Sequence, residues 1–273
     1  MSDPRRRHLK TTFNEDAGTY DRARPRYPEA LFDDLAEMAG LQPESALLEI
    51  GCGTGQATLP LAERGLRVVC VEMGDNLSAV ARRNLTTYPN VSVVTAAFEE
   101  WEAGGERFDL AFGAQSWHWL DPDVRYRKAA DLLHPGGFLA IIDVEHAFPK
   151  DTDPFFFEIQ DVYEAIGEDK PWHDVWPPPL PEDVPDMREE IEASGLFDDV
   201  QSRRYVWELI YTADEYIDLL NTFSNHIAME PDRREFLYWN VRERIGGRAD
   251  PRVRRHWLAI LNVARTRREG TAQ

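Results

Sequence analysis

The stretch Ala46-Leu47-Leu48-Glu49-Ile50-Gly51-Cys52-Gly53-Thr54-Gly55-Gln56 decides the fold. A short apolar run enters three glycines placed at every second position. A segment of helical pattern follows over 56–64, with Leu59, Leu61 and Ala62 inward and Gly65 as its stop. This reads as a buried strand, a tight turn and a helix. Working outward, the same alternation repeats. Residues 67–71 (RVVCV), 91–95, 108–112 and 138–143 read as strands. Residues 76–85 and 124–133 read as helices, the second stopped by His134-Pro135-Gly136-Gly137. Strand alternating with helix predicts an α/β fold, a doubly wound parallel sheet with helices on both faces and right-handed crossovers.

In such a sheet ligands bind beyond the carboxyl ends of the strands, where the glycines fall. Glycine there permits a tight turn and lets the backbone approach a ligand without a Cβ in the way. The spacing is G-x-G-x-G at 51, 53 and 55, whereas dinucleotide sites use G-x-G-x-x-G. The tighter turn, with Glu49 two residues before it, suits a ligand with a positive end and no pyrophosphate. Glu72 closes the second strand, where a carboxylate can accept two hydrogen bonds from ribose hydroxyls.

Outside this core the chain changes character. Residues 1–45 combine a basic tail (Arg5, Arg6, Arg7, Lys10) with Tyr20-Asp21-Arg22-Ala23-Arg24-Pro25-Arg26-Tyr27-Pro28 and a helical pattern through Leu31, Leu35 and Met38. Residues 145–187 are rich in aromatics and prolines, Pro171, Pro177, Pro178, Pro179, Pro181 and Pro185 among them, and little regular structure is expected there. Residues 188–193 read as a short helix, 204–211 as a strand, 214–221 and 232–245 as helices. Residues 255–265 suit either a strand or a buried helix. The expected divisions are an N-terminal segment, 1–45, contributing to a lid; a core, 46–144; an insertion, 145–187; and 188–273, which completes the core and carries a helical cap at 213–250.

The 273 residues are 42% apolar with a net charge of −18, enough to bury a core and unsuited to phosphate partners. No run of 18 apolar residues and no secretory pattern occurs, so a cytoplasmic protein without membrane contact is expected. Cys52 and Cys70 are too few for a disulfide framework or a metal cluster, and no metal is expected.

LLEIGCGTGQAT (47–58) followed by VVCVE (68–72) resembles the first two cofactor motifs of class I S-adenosylmethionine-dependent methyltransferases. FDLAF (108–112) resembles the family's fourth strand, and LLHPGGF (132–138) its L-x-P-G-G turn. AQSWHW (114–119), the stretch 20–28 and LLNTFS (219–224) resemble the small-molecule branch that contains the trans-aconitate methyltransferases. The resemblance covers residues 13–265. It implies a Rossmann-like, mostly parallel seven-stranded sheet with a helical cap, and S-adenosylmethionine as cofactor. It favours strands for 204–211 and 255–265, the last antiparallel. Gly51, Gly53 and Gly55 would lie under the methionine part and ribose, with Cys52, Thr54 and Gln56 in the same turn. Glu49 would help hold the methionine ammonium, Glu72 the ribose hydroxyls and Met73 the adenine face. Ala97 and Phe98 would flank the adenine edge, and Gln115 is a further cofactor contact. Many members carry an acid in the third-strand loop; Ala96 and Ala97 stand there in this chain.

Methyl transfer from a sulfonium is an in-line displacement that needs alignment and, for a protonated acceptor, a base. His118, between Trp117 and Trp119 after the fourth strand, is the candidate base. Trp117 and Trp119 could stack on a substrate or face a cation. Tyr20, Tyr27, Thr222, Ser224 and His226 are candidates for the acceptor pocket, and Arg22, Arg24 and Arg26 for a carboxylate on the acceptor. The partner expected is a small-molecule acceptor rather than nucleic acid, and the protein a monomer or homodimer. Two other readings stand beside this one: a cofactor-binding protein without transfer activity, and an NAD-type oxidoreductase, which the glycine spacing disfavours.

Overall fold

The computed structural model describes residues 16–168 and 178–267. Seven strands form one sheet in the order β3-β2-β1-β4-β5-β7-β6. They are β1 (Ala46–Ile50), β2 (Arg67–Glu72), β3 (Val91–Thr95), β4 (Phe108–Ala114), β5 (Leu133–Ala147), β6 (Phe197–Thr212) and β7 (Arg252–Thr266). The first five are mutually parallel, and β7 runs antiparallel to both β5 and β6. The chain leaves β1 for β2 on one side and later returns to β4 on the other. The carboxyl ends of β1 and β4 therefore flank the switch point where a crevice must open.

The helices are α1 (Ala17–Ala23), α2 (Glu29–Met38), α3 (Thr58–Glu63), α4 (Asp75–Asn84), α5 (Arg125–Leu132), α6 (Phe155–Glu158), α7 (Gln160–Ala165), α8 (Arg188–Ala193), α9 (Ala213–Leu220), α10 (Ser224–Ile227) and α11 (Pro231–Gly246). One face of the sheet packs Leu47, Cys70, Leu110 and Leu261 against α2, α3 and α4. The other packs Leu48, Ile50, Phe108 and Ile141 against α5 and α8. A third core joins α6, α7, α9 and α11 to Val253 and Trp257 at one end of β7, forming the helical cap. Burial explains the ambiguity of 255–265. Trp257 through Ala264 are buried on both faces of β7, which erases the two-residue period that marks a strand.

Two parts differ from expectation. Residues 145–187 contain more order than their prolines imply. β5 continues through Ala147, and α6 and α7 follow at once. Phe155, Phe156, Ile159, Val162 and Tyr163 recur at helical spacing and are buried in the cap, while Pro154 sits harmlessly at the N-cap. Pro171 and Pro177 lie outside the described residues, as do the four basic residues of the tail. The second difference is α1, which falls where the sequence showed only charge and proline. Its N-cap Asp16 accepts from the Thr19 amide at 2.9 Å. Asp21 ties the helix to the core by accepting from Asn84 Nδ2 at 3.1 Å, and the same amide donates to the Thr54 carbonyl at 3.0 Å.

Candidate functional site

A cavity of about 320 Å³ opens beyond the ends of β1, β2, β4 and β5. Its first wall is the glycine turn. Gly51 has φ +72°, and a Cβ placed on it would stand 2.6 Å from Ser116 Cβ. Its amide donates to the Val71 carbonyl at 2.7 Å, which carries the sheet one residue past β1. Gly53, at φ +57°, donates its N–H to Glu72 Oε2 at 2.9 Å, while Glu72 Oε1 accepts from the Gly74 amide at 2.8 Å. One carboxylate thus joins the turns after β1 and β2. Glu72 also lines the cavity. Val71, Met73, Leu77, Ala96 and Phe98 give this end an apolar wall.

Glu49 does not face the cavity. Alternation along β1 puts Glu49 on the same side as Leu47, under α3, where it is 1% exposed. It accepts from Thr58 Oγ1 at 2.5 Å and lies 3.8 Å from Cys70 Sγ. Burial pushes its carboxyl up to about 7 against these hydrogen bonds. It supports the turn from below and is absent from the wall. Cys52, Thr54, Gly55 and Gln56 also lie outside the cavity wall. Cys52 and Thr54 are buried, a Cβ on Gly55 would meet Leu85 Cδ1 at 2.9 Å, and Gln56 donates to the Asp21 carbonyl at 3.5 Å. Ala96 and Phe98 line the cavity where Ala97, between them, does not.

The segment after β4 forms the floor. Gln115 adopts φ +58°, uncommon outside glycine. Its amide donates to the Ile142 carbonyl at 2.8 Å, and its Nε2 donates to the Val144 carbonyl at 2.6 Å. β4 has ended there, so Gln115 supplies partners to the free edge of β5. Ser116 Oγ donates to the Ile50 carbonyl and locks the floor to β1. Residues Trp117–Trp119 form one 3-10 turn. With three residues per turn the side chains diverge by about 120°. Trp117 enters the core against Tyr126, ring centres 5.1 Å apart. His118 is exposed at the rim, 5.0 Å from the Trp119 ring, and both line the cavity.

The opposite end is assembled from distant parts of the chain. Arg24, just past α1, donates to the Thr222 carbonyl at 2.7 Å and to Gln115 Oε1 at 3.4 Å. Its guanidinium stacks over Phe223 and Tyr20, 4.6 and 5.2 Å from their centroids. Arg255 and Trp257 of β7 form the depth, with the buried guanidinium 4.2 Å from the indole centroid. Asp143, Glu145 and His146 at the end of β5 complete the wall, with Ser224 and Asn225 of α10. Burial, with Glu145 and Glu190 nearby, pushes the Asp143 carboxyl up to about 7. Burial and the Arg255 charge hold His146 well below the ordinary histidine range.

Several expected acceptor contacts lie elsewhere. Tyr27 lines only a small adjoining recess with Gln56 and Trp207. Thr222 is buried, its hydroxyl donating to the Leu219 carbonyl at 2.6 Å. His226 lies behind the wall, paired with the Tyr163 hydroxyl at 3.0 Å and held down to about 3 by burial. Arg22 donates to Thr19 Oγ1 at 3.1 Å, and Arg26 lies 3.5 Å from Asp21 Oδ1. Ser116, Asp143, Glu145, His146, Phe223, Asn225, Arg255 and Trp257 were not foreseen. The one available signal was the acidic continuation of the fifth strand, Asp143 to Glu145, past its apolar run.

Among the described residues no group of His, Cys, Asp or Glu could hold a metal ion, and no helix is long and apolar enough to cross a membrane. The model of a methyltransferase domain matches residues 47–137. An uncharacterized methyltransferase of Mycobacterium tuberculosis is 28% identical over 215 residues, 79% of this chain and 77% of the relative. An uncharacterized methyltransferase-like protein of Schizosaccharomyces pombe is 25% identical over 233 residues, 85% of each chain. A solved structure assigned as a type II methyltransferase from Anaeromyxobacter dehalogenans superposes with a TM-score of 0.64 at 25% identity, covering 89% of this chain and 97% of that one.

Proposed function

The chain is a class I S-adenosylmethionine-dependent methyltransferase, and on that premise we propose that its acceptor is a small molecule bound in the inner half of the cavity. The observation that carries the reading is the division of one 320 Å³ space into two chemically different ends. The end at β1 and β2 fits the cofactor. A side chain at Gly51 would strike Ser116 and displace the turn from the floor, and Glu72 stands beside an apolar wall. In this reading Gly51 and Gly53 hold the methionine part and ribose, Glu72 takes the ribose hydroxyls, and Met73, Leu77 and Phe98 pack on the adenine.

Bound S-adenosylmethionine supplies an electrophilic methyl on a sulfonium. The chain's own task is mainly alignment, for which well-oriented groups reach effective molarities of roughly 10⁵–10⁸ M. The inner end is lined by Tyr20, Arg24, Phe223 and Asn225, whose side chains would limit acceptor size. Trp119 and His118 stand at the rim as contacts for the outer part of the acceptor. The acidic surface, with its net charge of −18, favours this reading over a nucleic-acid acceptor.

Methyl-labelled S-adenosylmethionine, incubated with the enzyme and a cell extract and then passed through a 3-kDa-type size filter, separates the readings. Label is expected in the small-molecule filtrate. Label retained wholly on protein or RNA overturns the proposed acceptor class, and failure of S-adenosylhomocysteine to bind by calorimetry overturns the cofactor assignment.

A further inference from the structure

Asp143 holds a position that alignment alone does not require. It lies on the free edge of β5, between the two carbonyls, Ile142 and Val144, that Gln115 ties down. Its carboxyl lines the cavity, and among the described residues no hydrogen bond reaches it. Asp143 is half-buried, and a carboxyl raised by desolvation and neighbouring charge in a cleft is a candidate functional group. Glu145, two residues on, shares its side of the strand. Glu190 of α8 and Arg125 of α5 act on it from the covering helices, Arg125 favouring the charged form and both acids opposing it. Glu72, His118, Arg24 and Arg255 line the same cavity. Burial above all, with the neighbouring Glu145 and Glu190 carboxylates opposing a further negative charge, pushes the Asp143 carboxyl up to about 7. A general base works best with its titration near the working pH. The other bases fit worse: His118 is exposed at the rim, and His146 is buried with its ring 4.2 and 4.4 Å from Phe148 and Phe156.

We propose that Asp143 is the catalytic base, and that the acceptor is therefore one whose nucleophilic atom carries a proton, an amine, phenol or alcohol rather than a carboxylate. This rests on the acceptor site assigned above. The acceptor's lone pair forms the bond to the methyl carbon, and the carbon–sulfur bond breaks with its electron pair left on sulfur. The acceptor's proton passes to a carboxylate oxygen of Asp143 and from there to solvent at the rim.

The test compares wild type, Asp143→Asn and His118→Ala against a panel of small amines, phenols, alcohols and carboxylic acids with methyl-labelled donor. Asparagine keeps the shape, and S-adenosylhomocysteine affinity within about threefold of wild type certifies the fold and the cofactor end. Turnover of a protonated acceptor should fall roughly 10²–10⁴-fold in Asp143→Asn, with loss of the rising limb near pH 7 that wild type shows. Independently of turnover, protein carrying ¹³C-labelled aspartate should show one carboxyl titrating near pH 7 in the cofactor-product complex, absent in Asp143→Asn. A titration below pH 5, turnover of carboxylic acids alone, or a loss confined to His118→Ala overturns the proposal. If S-adenosylhomocysteine does not bind wild type, the cofactor reading fails instead.

Discussion

The two ends of the cavity are built by different means. The end beside the glycine turn comes from residues 50–98, a single run of strand, turn and helix. Its shape is held by backbone: Gly51 and Gly53 at positive φ, and Glu72 bonded to two amides. The opposite end takes Tyr20 and Arg24 from before the sheet, Asp143 to His146 from its middle, Phe223 and Asn225 from the cap, and Arg255 and Trp257 from its last strand. Side chains hold it, through Arg24 stacked on two rings and bonded across 198 residues to Thr222. A backbone-built site tolerates almost no change in shape. One assembled from side chains can alter what it accepts while leaving the other end intact.

Substitutions at the two ends should therefore separate. The largest effect is expected from Gly51→Val. A β-branched residue at φ +72° costs about 1–3 kcal/mol, and its Cβ meets Ser116 at 2.6 Å. S-adenosylhomocysteine affinity by calorimetry should fall by about 100-fold or more, since each 1.4 kcal/mol is tenfold. Retained affinity would place the cofactor away from this turn. A smaller and opposite pattern is expected from Arg24→Ala. The stacking and the bonds to Gln115 and Thr222 are lost, so acceptor turnover should drop about tenfold, the scale of one or two such contacts, while product affinity stays within about threefold. Equal losses in both readouts would dissolve the distinction between the ends.

Beneath the glycine turn the effect expected is on stability, and the smallest on activity. Glu49 is raised by burial to about 7. Its folded form keeps the proton that the unfolded chain releases near pH 4, so it contributes stability that is full in acid and lost as pH rises through 7. Glu49→Gln keeps an acceptor for the Thr58 hydroxyl and removes the titration. The melting temperature of wild type should therefore fall between pH 4.5 and 7.5 relative to the variant, by a difference equivalent to at most about 3 kcal/mol. Parallel curves would mean that Glu49 is ionised in the folded protein.

Legibility follows the same division. Strand, glycine turn and the acid at the next strand's tip are neighbours in sequence, and the parallel register of β1 on β2 sets Gly53 beside Glu72 with little freedom. The direction of Glu49 was harder to read, because β1 is buried on both faces and hydrophobicity does not say which face a lone acid takes. The Trp-His-Trp turn shows a similar limit: a 3-10 turn sends consecutive residues in three directions, and packing against Tyr126 selects Trp117 for the core. The phenylalanines of α6 and the residues of α7 were hidden by the proline content of the stretch, although Pro154 only caps α6.

What the amino-acid order determined alone is the half built around the glycine turn: alternating strands and helices, a turn only glycine can make, and a carboxylate at a fixed distance along the chain. These depend on local backbone geometry and on periodicity, which act over a few residues. The opposite half of the cavity was decided by the tertiary structure alone. Its residues meet because β7 returns antiparallel beside β5 and because α1 folds over the crevice. Contacts between groups more than a hundred positions apart are selected by packing and burial of the whole chain, and no local pattern records them.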